Sequence, residues 1–180
     1  MVPLAVVIVL QMMRVERGVK MWSLLGAIGG GLMTVPLVLP PIFWGVAAYD
    51  PDRAPEATAV IHQLGHLTMW TACQWYVLLW IPIAAICLQP KDDPNSPFPR
   101  WFGYFSIWAV IMFSAGAIAF IPRTGPFAWN GLFVFWVPAS IWAAWNTFMI
   151  TLLVRALKRQ HSDDVPATGS GVSTREVASL

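Results

Sequence analysis

Residues 101–121 and 132–157 form two apolar runs separated by a short break at 122–131, and neither carries a charged residue before Arg155. At about 1.5 Å of rise per residue, each run is long enough as a helix to cross a hydrocarbon core of about 30 Å. The pair predicts a transmembrane helical hairpin, because a chain in lipid has to bond its backbone N–H and C=O groups internally. Composition argues against a soluble alternative: of 180 residues, 57% are hydrophobic and 11% charged, whereas a soluble domain carries about 25% charged residues. A soluble core has no room for so much apolar surface. The net charge of +2 gives no reason to expect nucleic acid as a partner.

Two further runs, 21–49 and 59–88, are as long and as free of Asp, Glu, Lys and Arg. The expected fold is therefore all-α: a polytopic membrane bundle over residues 1–157 with four full transmembrane helices at 21–49, 59–88, 101–121 and 132–157. Residues 2–13 are too few to span and read as a partial helix, which suggests a chain that begins inside a longer frame or a segment that lies shallow. Arg14, Glu16, Arg17 and Lys20 form a short basic turn, and residues 158–180 read as a disordered cytoplasmic tail. In the run 21–49, Ser23, Gly26, Gly30 and Thr34 share a stripe that lets another helix come close, while Pro36, Pro40 and Pro41 predict a kink. In the hairpin, Gly103, Ser106, Val110, Ser114 and Ala117 share one stripe and Ser140, Ala144, Thr147 and Thr151 another. The simplest packing joins these two faces, with Asn146 turned to the bundle interior.

If the connections alternate sides, nine of the eleven basic residues fall on one side of the membrane and only Arg53 and Arg123 on the other. The positive-inside rule then places the C-terminus in the cytoplasm of a protein of the cell membrane. The acidic loop at 50–58 and the turn at 122–131 lie outside.

The segments Phe98-Pro99-Arg100-Trp101-Phe102-Gly103-Tyr104 and Thr124-Gly125-Pro126-Phe127-Ala128-Trp129-Asn130-Gly131, with the loop Tyr49 to Glu56, resemble a family of uncharacterised bacterial multi-pass membrane proteins. The resemblance covers residues 2–157 and implies a helical membrane fold with no assigned activity. It also implies a further helix and an extracellular segment ahead of Met1, and so a chain truncated at its N-terminus. Where the family tends to carry Asn-Asp-Leu, this chain has His62-Gln63-Leu64 followed by His66.

His62 and His66, one helical turn apart, continue through Met69, Cys73, Tyr76 and Trp80 along one predicted face. Such a pair can chelate a metal; His, Met and Cys together suit copper or haem, and Asp50, Asp52 and Glu56 just before them offer oxygen ligands. The pattern lacks the glutamate of a zincin, and the sulfur atoms fall about 10 Å or more along the helix. No phosphate-binding glycine loop, nucleophile elbow or intramembrane carboxylate pair is present. The expected protein is therefore non-catalytic, a partner-binding or accessory subunit in contact with lipid and with other membrane subunits or itself, without a cofactor. The alternative is a haem- or metal-binding redox protein built on His62 and His66.

Overall fold

The computed structural model describes residues 2–90, 96–119, 121–122 and 124–164, and all regular structure among them is helical. The α-helices are α1 Val2–Val15, α2 Met21–Leu32, α3 Val35–Tyr49, α4 Pro55–Ala72, α5 Val77–Leu88, α6 Arg100–Phe113 and α7 Val137–Asp164. Two stretches, Met21–Tyr49 and Leu132–Ser162, are long and apolar enough to cross a membrane, where the sequence predicts four. The run 59–88 is divided by a 3-10 turn, Cys73–Tyr76, which leaves α5 only 12 residues. Its first half starts early, at Pro55, because proline at the first helical position gives up no hydrogen bond and Glu56 suits the positive end of the helix. The run 101–121 keeps α-helical geometry only to Phe113 and then tightens into a second 3-10 turn, Ser114–Ile118.

Both long stretches are also interrupted, and proline accounts for each interruption. Pro36 has no N–H for the carbonyl of Leu32, so α2 ends and α3 restarts; Thr34 Oγ1 donates to the Gly31 carbonyl at 2.7 Å across the break. Pro138 likewise cannot continue the bonding pattern, and the preceding residues, Leu132–Trp136, wind as a π-turn in which Val137 N–H reaches Leu132 O.

Glycine decides how closely the first helices pack. A Cβ on Gly29 would stand 2.4 Å from the Leu78 carbonyl carbon, so α2 and α5 touch backbone to backbone there. Gly26 and Gly30 on the same helix receive Met12 and Ala5 of α1. The predicted small-residue stripe thus serves two neighbours.

The α1–α2 connection differs from the expected surface turn. Glu16 is only 3% exposed, and its carboxylate accepts Trp22 N–H and Ser23 N–H at 2.8 Å each and the Ser23 hydroxyl at 2.5 Å. It sits on the positive end of α2, where the first N–H groups have no partner within the helix. Lys20 folds back to donate to the Glu16 carbonyl.

Aromatic side chains fill the centre. Trp80 and Trp145, both fully buried, stack at 5.1 Å, with Phe113 edge-on to Trp80 at 4.7 Å and Phe102 against Trp145 at 5.4 Å. Trp145 also donates its indole N–H to Ser106 at 2.9 Å, which ties α7 to α6. The two hairpin stripes do not meet as expected. Gly103 packs on Cys87 of α5 instead, and Ser140, Thr147 and Thr151 are exposed. Large side chains keep the facing positions: Trp145 reaches Ser106, while Ile141, Met149 and Leu153 bury the rest of the α7 face. Asn146 is 9% exposed, as its amide demands, with Nδ2 donating to the Trp142 carbonyl at 2.8 Å.

Residues 158–164, expected in a disordered tail, continue α7. Gln160 is buried there in a reciprocal amide pair with Gln11 of α1, at 3.3 and 3.2 Å. The rest of the expected tail, 165–180, lies outside the described residues, as do Arg123 and Lys91 used in the charge count.

Candidate functional site

The histidine pair sits near the middle of α4. His62 is exposed, whereas His66 is enclosed by three elements: its own helix, Trp44 of α3 at 4.9 Å between ring centroids, and Trp129 of the 124–131 turn at 4.3 Å. The two imidazoles lie 4.4 Å apart. Trp44 comes this close because residue 65 is glycine; a Cβ there would stand 2.5 Å from the Trp44 indole nitrogen. Trp129 is placed by a turn in which Gly125 takes φ +92, a conformation that side chains with a Cβ rarely adopt, and in which the Pro126 carbonyl accepts Phe133 N–H at 3.0 Å.

His66 Nδ1 lies 3.0 Å from the His62 carbonyl and 3.3 Å from the Trp44 indole nitrogen. If Nδ1 carries a proton it donates to the carbonyl; if it does not, it accepts the indole N–H, and one nitrogen cannot do both. Either way, this ring nitrogen is committed within the protein.

The oxygen ligands proposed from sequence have other partners or positions. Asp50 closes a turn by accepting Asp52 N–H at 3.2 Å and lies 3.9 Å from Arg53 Nε. Arg53 donates to the Val46 carbonyl at 3.0 Å, in the last turn of α3, where a cation suits the negative helix end. Glu56 is exposed in the first turn of α4. Among the described residues no three His, Cys, Asp or Glu side chains gather in a metal-binding group, so the structure does not bring His62, His66, Asp50, Asp52 and Glu56 together. The face from His62 to Trp80 is also not continuous, since the 3-10 turn interrupts it. The acidic side chains stand apart from the imidazoles, and the hydrogen bonding at Nδ1 of His66 leaves Nε2 as the ring nitrogen open to a ligand.

Sequence reasoning passed over Trp44, Gly65 and Trp129, which hold His66 in place. Spacing along α4 carries no sign of them, because they come from elsewhere in the chain. The one available signal is the unusual 124–131 segment, which ends by presenting Trp129.

The second candidate surface is the outer face of α7. Ser140, Thr147 and Thr151 are exposed with Ala144 between them, and each hydroxyl donates to the carbonyl four residues back, at 2.9, 2.8 and 2.8 Å. Phe148, Ile150 and Val154, also exposed, flank this strip. It is a small-residue face whose hydrogen bonds are already made.

Fold and site together define an all-α protein with two helices able to cross a membrane. The chain matches no family profile, no characterised protein and no solved structure.

Proposed function

We propose that the chain is a multi-pass protein of the cell membrane, without a catalytic role, that receives a transmembrane helix of another subunit on the outer face of α7. The membrane reading is supported by burial: in the most apolar windows of Met21–Tyr49 and Leu132–Ser162, only 33% and 28% of positions are buried, whereas the core helix of a soluble protein is mostly buried. Leu24, Ile28, Val38 and Ile42 are exposed within the first of these stretches, and exposed Ile107 and Ile111 make the same argument on α6. The observation that carries the partner reading is the small-residue strip on α7. In lipid, helices associate where small residues let their backbones approach, and among the described residues no helix covers this face of α7.

Cysteine substitution tests it. With Thr147→Cys or Thr151→Cys, a short bismaleimide applied to native membranes is expected to give an adduct larger than the single chain, and Ile107→Cys on α6 is expected to give none. An adduct of twice the chain's mass would assign the strip to a second copy of this chain. No adduct at either α7 position would overturn the proposal.

The orientation proposed from the basic residues places the 50–58 and 124–131 segments outside, and the His66–Trp129 contact, which joins the neighbourhoods of these two connections, supports a common side for them. On intact cells, a membrane-impermeant maleimide is expected to label Asp52→Cys and Thr124→Cys and to spare Ser162→Cys until the cells are permeabilised. Labelling of Ser162→Cys from outside would reverse the topology.

A further inference from the structure

A cavity of about 270 Å³ lies between the start of α6 and the later turns of α7. Ser96, Pro99 and Trp101 line it on one side, and Leu152, Arg155 and Arg159 on the other. The three α7 residues follow at spacings of three and four, so they share one face of the helix, and the two arginines stand one turn apart with about 6 Å between their Cβ atoms. Both arginines are exposed, and among the described residues neither has an ion-pair partner. The wall presents polar as well as apolar surface, and no acidic residue belongs to it among those described.

Everything polar around this cavity favours an anion. Two guanidinium groups one turn apart can fork onto the oxygens of a single phosphate. The helix α6 begins here at Pro99 with no capping side chain, so its first N–H groups have no partner within the helix and its end is positive. Ser96 Oγ accepts Phe98 N–H at 3.4 Å and keeps its own proton to donate. Toward the middle of the helices the same face turns apolar: Phe148, one turn before Leu152, is exposed and meets the half-exposed ring of Trp101 edge-on at 5.6 Å. A soluble phosphate would use only the charged part. A phospholipid uses both, and the volume, below the about 300–1,000 Å³ of small-molecule sites, admits a headgroup and leaves its chains outside. A zwitterionic headgroup brings a cation that the arginines repel and no wall residue attracts, so the fit is to a headgroup with net negative charge.

We propose that this cavity holds the headgroup of an anionic phospholipid, its phosphate between Arg155 and Arg159 and its acyl chains running past Trp101 and Phe148 into the bilayer. The proposal rests on the membrane reading above and not on the partner assigned to α7. The full chain in nanodiscs of equal parts phosphatidylglycerol and phosphatidylcholine, released into native mass spectrometry, tests it by the lipid that stays bound. One retained phosphatidylglycerol is expected, enriched about twentyfold over phosphatidylcholine. Arg155→Gln and Arg159→Gln are each expected to lower the enrichment about fivefold, and together to abolish it; both positions are exposed, so the fold is not at risk. Lys158→Gln removes the same charge from the same helix outside the cavity and is expected to leave the enrichment within about twofold. Excess glycerol 3-phosphate, a phosphate without chains, is expected not to displace the lipid. No enrichment, an equal loss with Lys158→Gln, or displacement by glycerol 3-phosphate would each overturn the site. Insertion into pure phosphatidylcholine discs checks the membrane reading by itself: a chain that stays outside them overturns that reading and this site with it, whereas an inserted chain without a lipid preference overturns the site alone.

Discussion

Replacing Gly29 with alanine is expected to destabilise the bundle by about 3 kcal/mol, enough to leave much of the protein unfolded in detergent, while the same change at Gly31 is expected to be neutral or mildly stabilising. The added methyl at position 29 would stand 2.4 and 2.5 Å from the carbonyl carbon and oxygen of Leu78 and 2.7 Å from the nitrogen of Leu79. These are backbone atoms of α5, so no rotamer change gives relief and the two helices must separate. Gly31, two residues on, has nothing within 4 Å of the same position. There alanine gains its ordinary helical advantage of about 1 kcal/mol over glycine. Thermal melts in detergent followed by circular dichroism compare the two directly. Equal stability of the two variants would mean that α2 and α5 do not meet at Gly29.

Glu16→Ala is expected to cost about 3 kcal/mol, and Glu16→Gln about half as much. Removing the carboxylate strands three donors at the start of α2: Trp22 N–H, Ser23 N–H and the Ser23 hydroxyl. The glutamine amide keeps one oxygen to accept with but turns an NH₂ group toward backbone N–H, and it loses the favourable charge at the helix end. The same detergent melts read the effect, and Ser23→Ala should recover part of the loss in the alanine background, because one stranded donor goes with it. Wild-type stability of Glu16→Ala would show that water reaches this site and satisfies the donors.

The sequence made some of this legible. Two of the four long charge-free runs coincide with the stretches able to cross a membrane, the glycine spacing identifies α2 as a helix that others approach, and a lone amide among apolar residues identifies Asn146 as interior. Glu16 was hidden because its neighbours Arg14, Arg17 and Lys20 suggest a solvated turn, while its burial depends on Ser23, seven positions away. The interruptions at Cys73–Tyr76 and Ser114–Ile118 were hidden for another reason. Apolar residues are compatible with α winding and with a short 3-10 turn, so composition marks the run and not the break in it. Small-residue spacing on α6 and α7 shows which side chains share a face but not which face a neighbour covers, and bulky Trp145 took the contact that the hydroxyl stripe seemed to offer. The enclosure of His66 by Trp44 and Trp129 is tertiary throughout, since each ring comes from a different element.

The amide pair between Gln11 and Gln160 joins residues 149 positions apart. During synthesis α1 is made long before α7, so the Gln11 amide enters an apolar setting with its partner not yet translated. A lone amide there has an incentive to bond whatever polar group is within reach. The Gln11–Gln160 pair can close only once residue 160 has left the ribosome, and a nascent chain stalled before that point holds Gln11 as an unmet polar group. The closing contact of the bundle is in this sense a proofreading mark on its assembly: it forms only when the seventh helix has arrived in register with the first.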